Sequence, residues 1–276
     1  MAYKTLLTVL LRPEDAHGPL TVAIALADRC DAHLEVLCLG SDPTPAAYSF
    51  EGGVAFSALG GADEARERAQ ALLAAARERL QAEEIRWSAE GLVSQAGNLG
   101  LLMADRARYA DLVVLPRPYD DVQAPEGEAI LEAALFEARV PVLVLPQGTL
   151  AVPPPAKVLL AWNGSDEALS AARAALPFLV TAAQVTIVVV DPPRQDGDPG
   201  AGLAQWLTRH GATVDVAVLA RTRSSVSQEI SRHAEEVGAD LIVMGAYGHS
   251  RLREAILGGA TRDTLESAKI PVLMAR

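Results

Sequence analysis

Cysteine is scarce in this sequence, with two in 276 residues, Cys30 and Cys38. They lie eight apart with neither a CxxC spacing nor a second pair, which excludes a disulfide framework and a cysteine zinc site. Buried free thiols in a reducing compartment are the expectation. Basic charge is short as well: 24 Lys and Arg stand against 35 Asp and Glu, a formal charge of −11. That sign repels phosphate backbones and anionic lipid at long range, so neither nucleic acid nor a membrane is an expected partner. No apolar run approaches the roughly 18 to 20 residues of a membrane span, since even Ala65–Leu80 carries several charges. The N-terminal residues 1–15 hold one Lys and no small-residue cleavage site, and read as a strand rather than a leader. A cytoplasmic protein is expected.

Catalytic signatures are missing too. The chain has no GxSxG elbow, no GxxxxGK[ST] loop and no GxGxxG. His17, His33, His210 and His233 show no HxxxH or HExxH spacing, and His249 has no partnered nucleophile, so no metal site and no catalytic centre is expected. Without a Walker lysine or a base, ATP hydrolysis would be slow or incidental. What is present is a core: half the residues are hydrophobic and 21% are charged, which excludes a disordered chain or a stapled mini-protein.

An internal repeat organises the chain. Ala110-Asp111-Leu112-Val113-Val114-Leu115 returns as Ala239-Asp240-Leu241-Ile242-Val243-Met244, and Val140-Pro141-Val142-Leu143-Val144-Leu145 as Ile270-Pro271-Val272-Leu273-Met274-Ala275. Lys4-Thr5-Leu6-Leu7 matches Lys157-Val158-Leu159-Leu160. Between the copies, Gln147–Ala156 contains Gly148 and Pro153-Pro154-Pro155, a linker composition. The expected domains are 1–146 and 157–276, joined by 147–156.

Each half alternates short β-rich runs with helical patterns. Strands are expected at Thr5–Leu10, Leu34–Leu39, Ile85–Ala89, Leu112–Leu115 and Val142–Leu145, then at Val158–Trp162, Val185–Val190, Val214–Leu219, Leu241–Met244 and Pro271–Met274. Helices are expected at Glu167–Leu176, capped by Ser165, and at Leu203–His210, Ser224–Val237 and Thr261–Ala268. This order gives two tandem doubly wound, Rossmann-like α/β domains, each with a five-stranded, mostly parallel sheet. Ser41–Gly60 reads as an irregular loop or lid. Val140–Leu145 and Ile270–Ala275, the last strands, are expected at sheet edges where they can pair with each other, giving an internal pseudo-dimer that is itself open to homodimerisation.

Chemistry concentrates after the fourth strand of the second half. Gly245-Ala246-Tyr247-Gly248 is followed by nine residues and then Gly258-Gly259-Ala260-Thr261 at a helix start. Glycines at the carboxyl end of a parallel strand let backbone N–H groups close on a phosphate, and the helix N-terminus adds partial positive charge. Asp240–Gly245, the GxxG-x9-G spacing and the closing Ile-Pro-Val-Leu resemble the universal stress protein family. The resemblance covers both halves, strongly in the second and weakly in the first.

That resemblance implies an adenine nucleotide alpha hydrolase-like fold and a site for ATP or AMP, with Mg accompanying ATP. Its implied residues are Ala161, Asn163 at the adenine position, Val189 as a backbone contact, and Gly245, Gly248, Gly258, Gly259 and Ala260 around the phosphates. Asn163 stands where the family carries Asp, an amide in place of an acceptor-only carboxylate. Gly259 stands where a hydroxyl residue is usual, a loss of about 1 kcal/mol of hydrogen bonding, with Thr261 a turn further on as substitute. The implied role is a non-enzymatic stress-response sensor or scaffold; the alternatives are an interaction protein that binds no nucleotide and a slow ATP hydrolase. Bland roles compete at several positions: an Asx turn for Asn163, packing for Trp162, the loop entrance for Tyr247, solvation for Arg221-Thr222-Arg223 and an exposed helix face for Asp63–Arg68.

The first half has no such loop. The position matching Asn163 falls near Leu10, and Pro116-Arg117-Pro118-Tyr119 follows Leu115. Prolines have no N–H to donate, so the expected role is structural, regulatory, or a site for a different ligand.

Overall fold

A computed structural model describes residues 3–42, 59–118, 126–192, 198–222, 225–246 and 260–276. Its contacts divide the chain into two compact units, 3–140 with 147–151, and 141–146 with 152–276.

The first unit runs β1 (Thr5–Leu10), α1 (Pro19–Cys30), β2 (His33–Asp42), α2 (Leu59–Gln81), β3 (Arg86–Gln95), α3 (Leu99–Ala107), β4 (Leu112–Pro116) and α4 (Glu126–Glu132), which continues into a π-helical turn at Ala133–Glu137. Its strands lie in the order β3-β2-β1-β4, all parallel. β1 and β4 are buried along almost their whole length, as their aliphatic residues require; Thr8, the one polar residue inside β1, donates its hydroxyl to the Val114 carbonyl of β4 at 2.9 Å.

The second unit contains β5 (Val142–Leu145), β6 (Lys157–Ala161), α5 (Asp166–Ala174), α6 (Leu176–Leu179), β7 (Gln184–Val190), α7 (Ala201–Arg209), β8 (Val214–Leu219), α8 (Val226–Val237), β9 (Leu241–Gly245), α9 (Ala260–Ser267) and β10 (Val272–Ala275). The order is β5-β10-β9-β6-β7-β8. All neighbours are parallel except β5, which runs antiparallel to β10 with Val144 opposite Val272 and Leu143 opposite Leu273. No described helix is long and apolar enough to cross a membrane.

Both halves contribute five strands, in line with the repeat. The grouping differs from the expected boundary at 146, because β5 packs with the second unit. Its four residues are all buried, and pairing with it completes the edge of β10 that β9 leaves open.

The repeated Asp of the Ala-Asp-Leu motif has a structural task in each half. Asp111 Oδ2 accepts the N–H groups of Lys4 (2.7 Å) and Thr5 (3.0 Å), and Asp240 Oδ2 accepts those of Ala156 (2.8 Å) and Lys157 (2.9 Å). Each carboxylate thus ties the start of one central strand to the start of its neighbour. Side-chain caps begin two helices of the second unit, α5 and α8: Ser165 Oγ accepts from the N–H of Ala168, and Ser225 Oγ from that of Gln228.

Two expectations need correction. Ser41 and Asp42 belong to β2, and α2 already starts at Leu59, so what remains of the Ser41–Gly60 loop, 43–58, lies outside the described residues. β3 extends past Ala89 to Gln95, paired with β2 as far as Asp42. Of the two free thiols, Cys38 is buried and Cys30 only half-buried. Burial pushes the Cys38 thiol up to about 12 and moves Cys30 in the same direction, so both stay protonated at neutral pH.

Candidate functional site

The carboxyl ends of β6, β7 and β9 are where a parallel sheet of this kind receives ligands. β6 ends at Ala161, in register with Val188, and the N–H of Trp162 donates to the Val188 carbonyl (2.8 Å) before the chain turns away. The turn is built by Gly164, at φ 78°, and by Asn163, whose Oδ1 accepts the N–H of Ser165 (3.0 Å). Asn163 is therefore an exposed Asx-turn residue that leads into the Ser165 cap of α5. Among the described residues its NH2 group and one of its carbonyl lone pairs make no hydrogen bond.

Val189 does not have the backbone role expected of it. In a parallel strand the N–H and C=O of one residue point to the same side, and successive residues alternate. Gln184 donates to Ala156 and Val188 accepts from Trp162, so the even residues of β7 face β6. Val185 donates to Thr213 and Asp191 to Leu219, so the odd residues face β8. Val189 therefore has its backbone inside the β7–β8 ladder. Val190 presents its N–H and C=O on the side where β6 has already ended, and among the described residues nothing pairs with them. Strand alternation could have found this residue, had the ladder partners been known.

Gly245 ends β9 against the first turn of α5. A Cβ there would lie 2.5 Å from the Ala168 nitrogen and 2.7 Å from the Glu167 carbonyl carbon, so only glycine fits. The next amide, that of Ala246, donates to the Ala275 carbonyl at 2.8 Å and is not open to a phosphate. Gly248, Gly258 and Gly259, with Tyr247 and His249, lie outside the described residues. Ala260 opens α9 and Thr261 is buried in its first turn.

Beyond β8, Arg221 is half-exposed and 3.8 Å from Asp191, in keeping with a solvated pair; Arg223 is outside the described residues. A residue the sequence did not single out stands beside it. Glu229 is completely buried; its Oε1 accepts the N–H (2.8 Å) and hydroxyl (2.6 Å) of Thr222, and its Oε2 accepts Arg232 Nη2 (2.9 Å). It fixes the segment leaving β8 to α8, and its place one turn inside a Ser-capped helix was the signal for it. No cluster of three or more metal-ligating side chains occurs among the described residues.

In the first half the corresponding strand tips have their amides occupied. Asp15 Oδ2 accepts the N–H groups of Leu11 and Arg12, both at 2.9 Å, and β4 leads into Pro116 and Pro118.

Residues 156–276 match the universal stress protein family. The match covers the second half of the chain. Universal stress protein Slr1230 of Synechocystis is 27% identical over 220 residues, 76% of this chain and 72% of that one. Universal stress protein MJ0577 of Methanocaldococcus jannaschii is 37% identical over 49 residues, 18% of this chain and 30% of its own length. The crystal structure of a universal stress protein from Archaeoglobus fulgidus superposes with a TM-score of 0.74 over 99% of this chain and 96% of its own, at 17% identity, which establishes a common fold.

Proposed function

We propose that the second half binds an adenine nucleotide, ATP with Mg or AMP, and that the chain acts as a non-enzymatic cytoplasmic sensor or scaffold in a stress response. The observation that supports this reading is Val190. Its unpaired N–H and C=O, side by side at the tip of β7, offer one donor and one acceptor in the spacing that an adenine edge complements. Asn163 flanks the same tip with a free NH2 group. The glycine motif Gly245, Gly248, Gly258 and Gly259 leads from the end of β9 to the N-terminus of α9, where backbone amides and the helix dipole favour phosphate.

Isothermal titration with ATP and AMP tests the proposal on the wild type and Gly248→Val. Saturable heat that the substitution abolishes is expected, and equal heats from the two proteins would remove the claim.

A second reading, an interaction protein that takes no nucleotide, is favoured by different observations. The close packing of Gly245 on α5 and the Asx turn of Asn163 are structural reasons for both residues, and the Ala246 amide is already bonded. Under this reading the purified chain carries no excess absorbance in the nucleobase band and neither nucleotide gives heat.

A further inference from the structure

The ends of β1, β2 and β4 in the first unit border a cleft of about 380 Å³. Backbone donors are few there, because the Leu11 and Arg12 amides donate to Asp15, and Pro116 and Pro118 have no N–H. Side chains are better placed. Arg12, Arg68 and Arg117 line the cleft, opposed by two carboxylates, Asp15 and Glu126. Arg68 is exposed and makes no ion pair among the described residues. Asp15 is 2% exposed and its charge is answered by two amides and by Arg12 at 3.9 Å. In a chain of net charge −11, the described residues lining this pocket thus carry one surplus positive charge, beside Leu11, Leu39 and prolines.

The second observation is Ser41. It lines the same cleft, is 6% exposed, and its Oγ has no hydrogen-bond partner among the described residues. A buried hydroxyl without a partner is costly and uncommon in a folded protein, and it is relieved when a ligand supplies the missing acceptor.

We propose that this cleft binds a small amphipathic monoanion, a carboxylate on an apolar body, recognised by the guanidinium groups of Arg12, Arg68 and Arg117 and by the Ser41 hydroxyl. Planar guanidinium groups suit a carboxylate bidentately, the single surplus charge suits a monoanion, and the apolar walls suit a hydrocarbon body. The site is independent of the nucleotide reading, which concerns the other half of the chain.

Titration of the full chain with octanoate as probe tests this. Saturable binding is expected, with octan-1-ol and inorganic phosphate each at least about tenfold weaker, since each lacks one half of the match. Arg68→Gln with Arg117→Gln should weaken octanoate by about tenfold or more and leave any ATP heat intact. Ser41→Ala should weaken octanoate several-fold yet raise the melting temperature of the ligand-free protein by about 2 °C, because an unpaired hydroxyl is removed. That opposite movement separates a binding role from simple misfolding. The proposal is overturned by absent saturable binding, by octanol or phosphate binding as tightly as octanoate, by unchanged octanoate affinity in the double variant, or by AMP displacing octanoate and losing its own heat in that variant.

Discussion

The strand tips of the two halves carry the same topology and opposite chemistry. In the second half β6 stops early, β7 runs on so that the N–H and C=O of Val190 on the β6 side meet no partner among the described residues, and a glycine motif follows β9 in sequence. In the first, Asp15 takes up the amides after β1, prolines follow β4, and arginine side chains gather at the opening. The lesson is that a repeated scaffold constrains where a ligand can sit and leaves open how it is held. One half offers the main-chain N–H and C=O of Val190 at a strand tip; the other offers guanidinium groups and a hydroxyl.

The sharpest way to break the comparison is at the two glycines that hold strand ends against helices. A Cβ on Gly40 would lie 1.9 Å from the Ala65 carbonyl oxygen, and one on Gly245 2.5 Å from the Ala168 nitrogen. Both obstacles are backbone, so α2 or α5 must move. Gly40→Ala is expected to cost about 3 kcal/mol or more and Gly245→Ala about 2 kcal/mol, read from urea unfolding. The reverse order would mean that the second half is packed more tightly than the first.

A smaller effect tests the symmetry of the scaffold itself. Asp111→Ala and Asp240→Ala each remove a carboxylate that ties two strand starts, and each is expected to cost about 1 kcal/mol, the carboxylates being exposed. Costs that differ by more than the whole of this effect would show that one half leans on its clamp and the other does not.

The smallest effect is expected where the halves diverge at their first lysines. Lys4 Nζ bonds Asp31, which also pairs with Arg86, whereas Lys157 Nζ bonds the Val237 carbonyl at 2.8 Å. The hydrogen bond from Lys4, followed by the charge of Arg86, holds the Asp31 carboxyl below its ordinary value. A lowered folded-state value stabilises above the ordinary aspartate range near pH 4 and is lost as pH falls through the lowered value. Asp31→Asn should therefore lower stability at pH 7 only slightly, since the pair is exposed and screened by salt, and should make no difference once the pH has fallen below the lowered value, which flattens the acid limb. A loss that is larger in acid than at pH 7 would contradict this.

Much of the fold was legible because covered parallel strands leave little choice of sequence. Thr5–Leu10, Val142–Leu145 and Val214–Leu219 coincide with β1, β5 and β8, and the Ser165 cap marks the start of α5. What was not legible depends on partners. β3 is an edge strand with alternating exposure, and its residues past Ala89 are fixed by pairing with β2 rather than by an aliphatic run. Gly60 and Gly61 resemble a loop, yet they lie inside α2, a helix whose Ala65 packs on Gly40. Within the candidate site, the positions of Asn163 and Gly245 were readable, but choosing Val190 over Val189 requires knowing which neighbour each backbone group meets. Arg12, Arg68 and Arg117 are far apart in sequence, and only the winding of the chain brings them to one opening.

The exchange of Val142–Leu145 into the second unit has a practical consequence for anyone dissecting the protein. A gene fragment that begins at the proline-rich linker would yield a sheet whose β10 lacks its outer neighbour, an uncovered edge that invites aggregation. The smallest autonomous version of the second half starts before Pro141, so the segment between the repeats is a bridge crossed twice by shared structure rather than a place to cut.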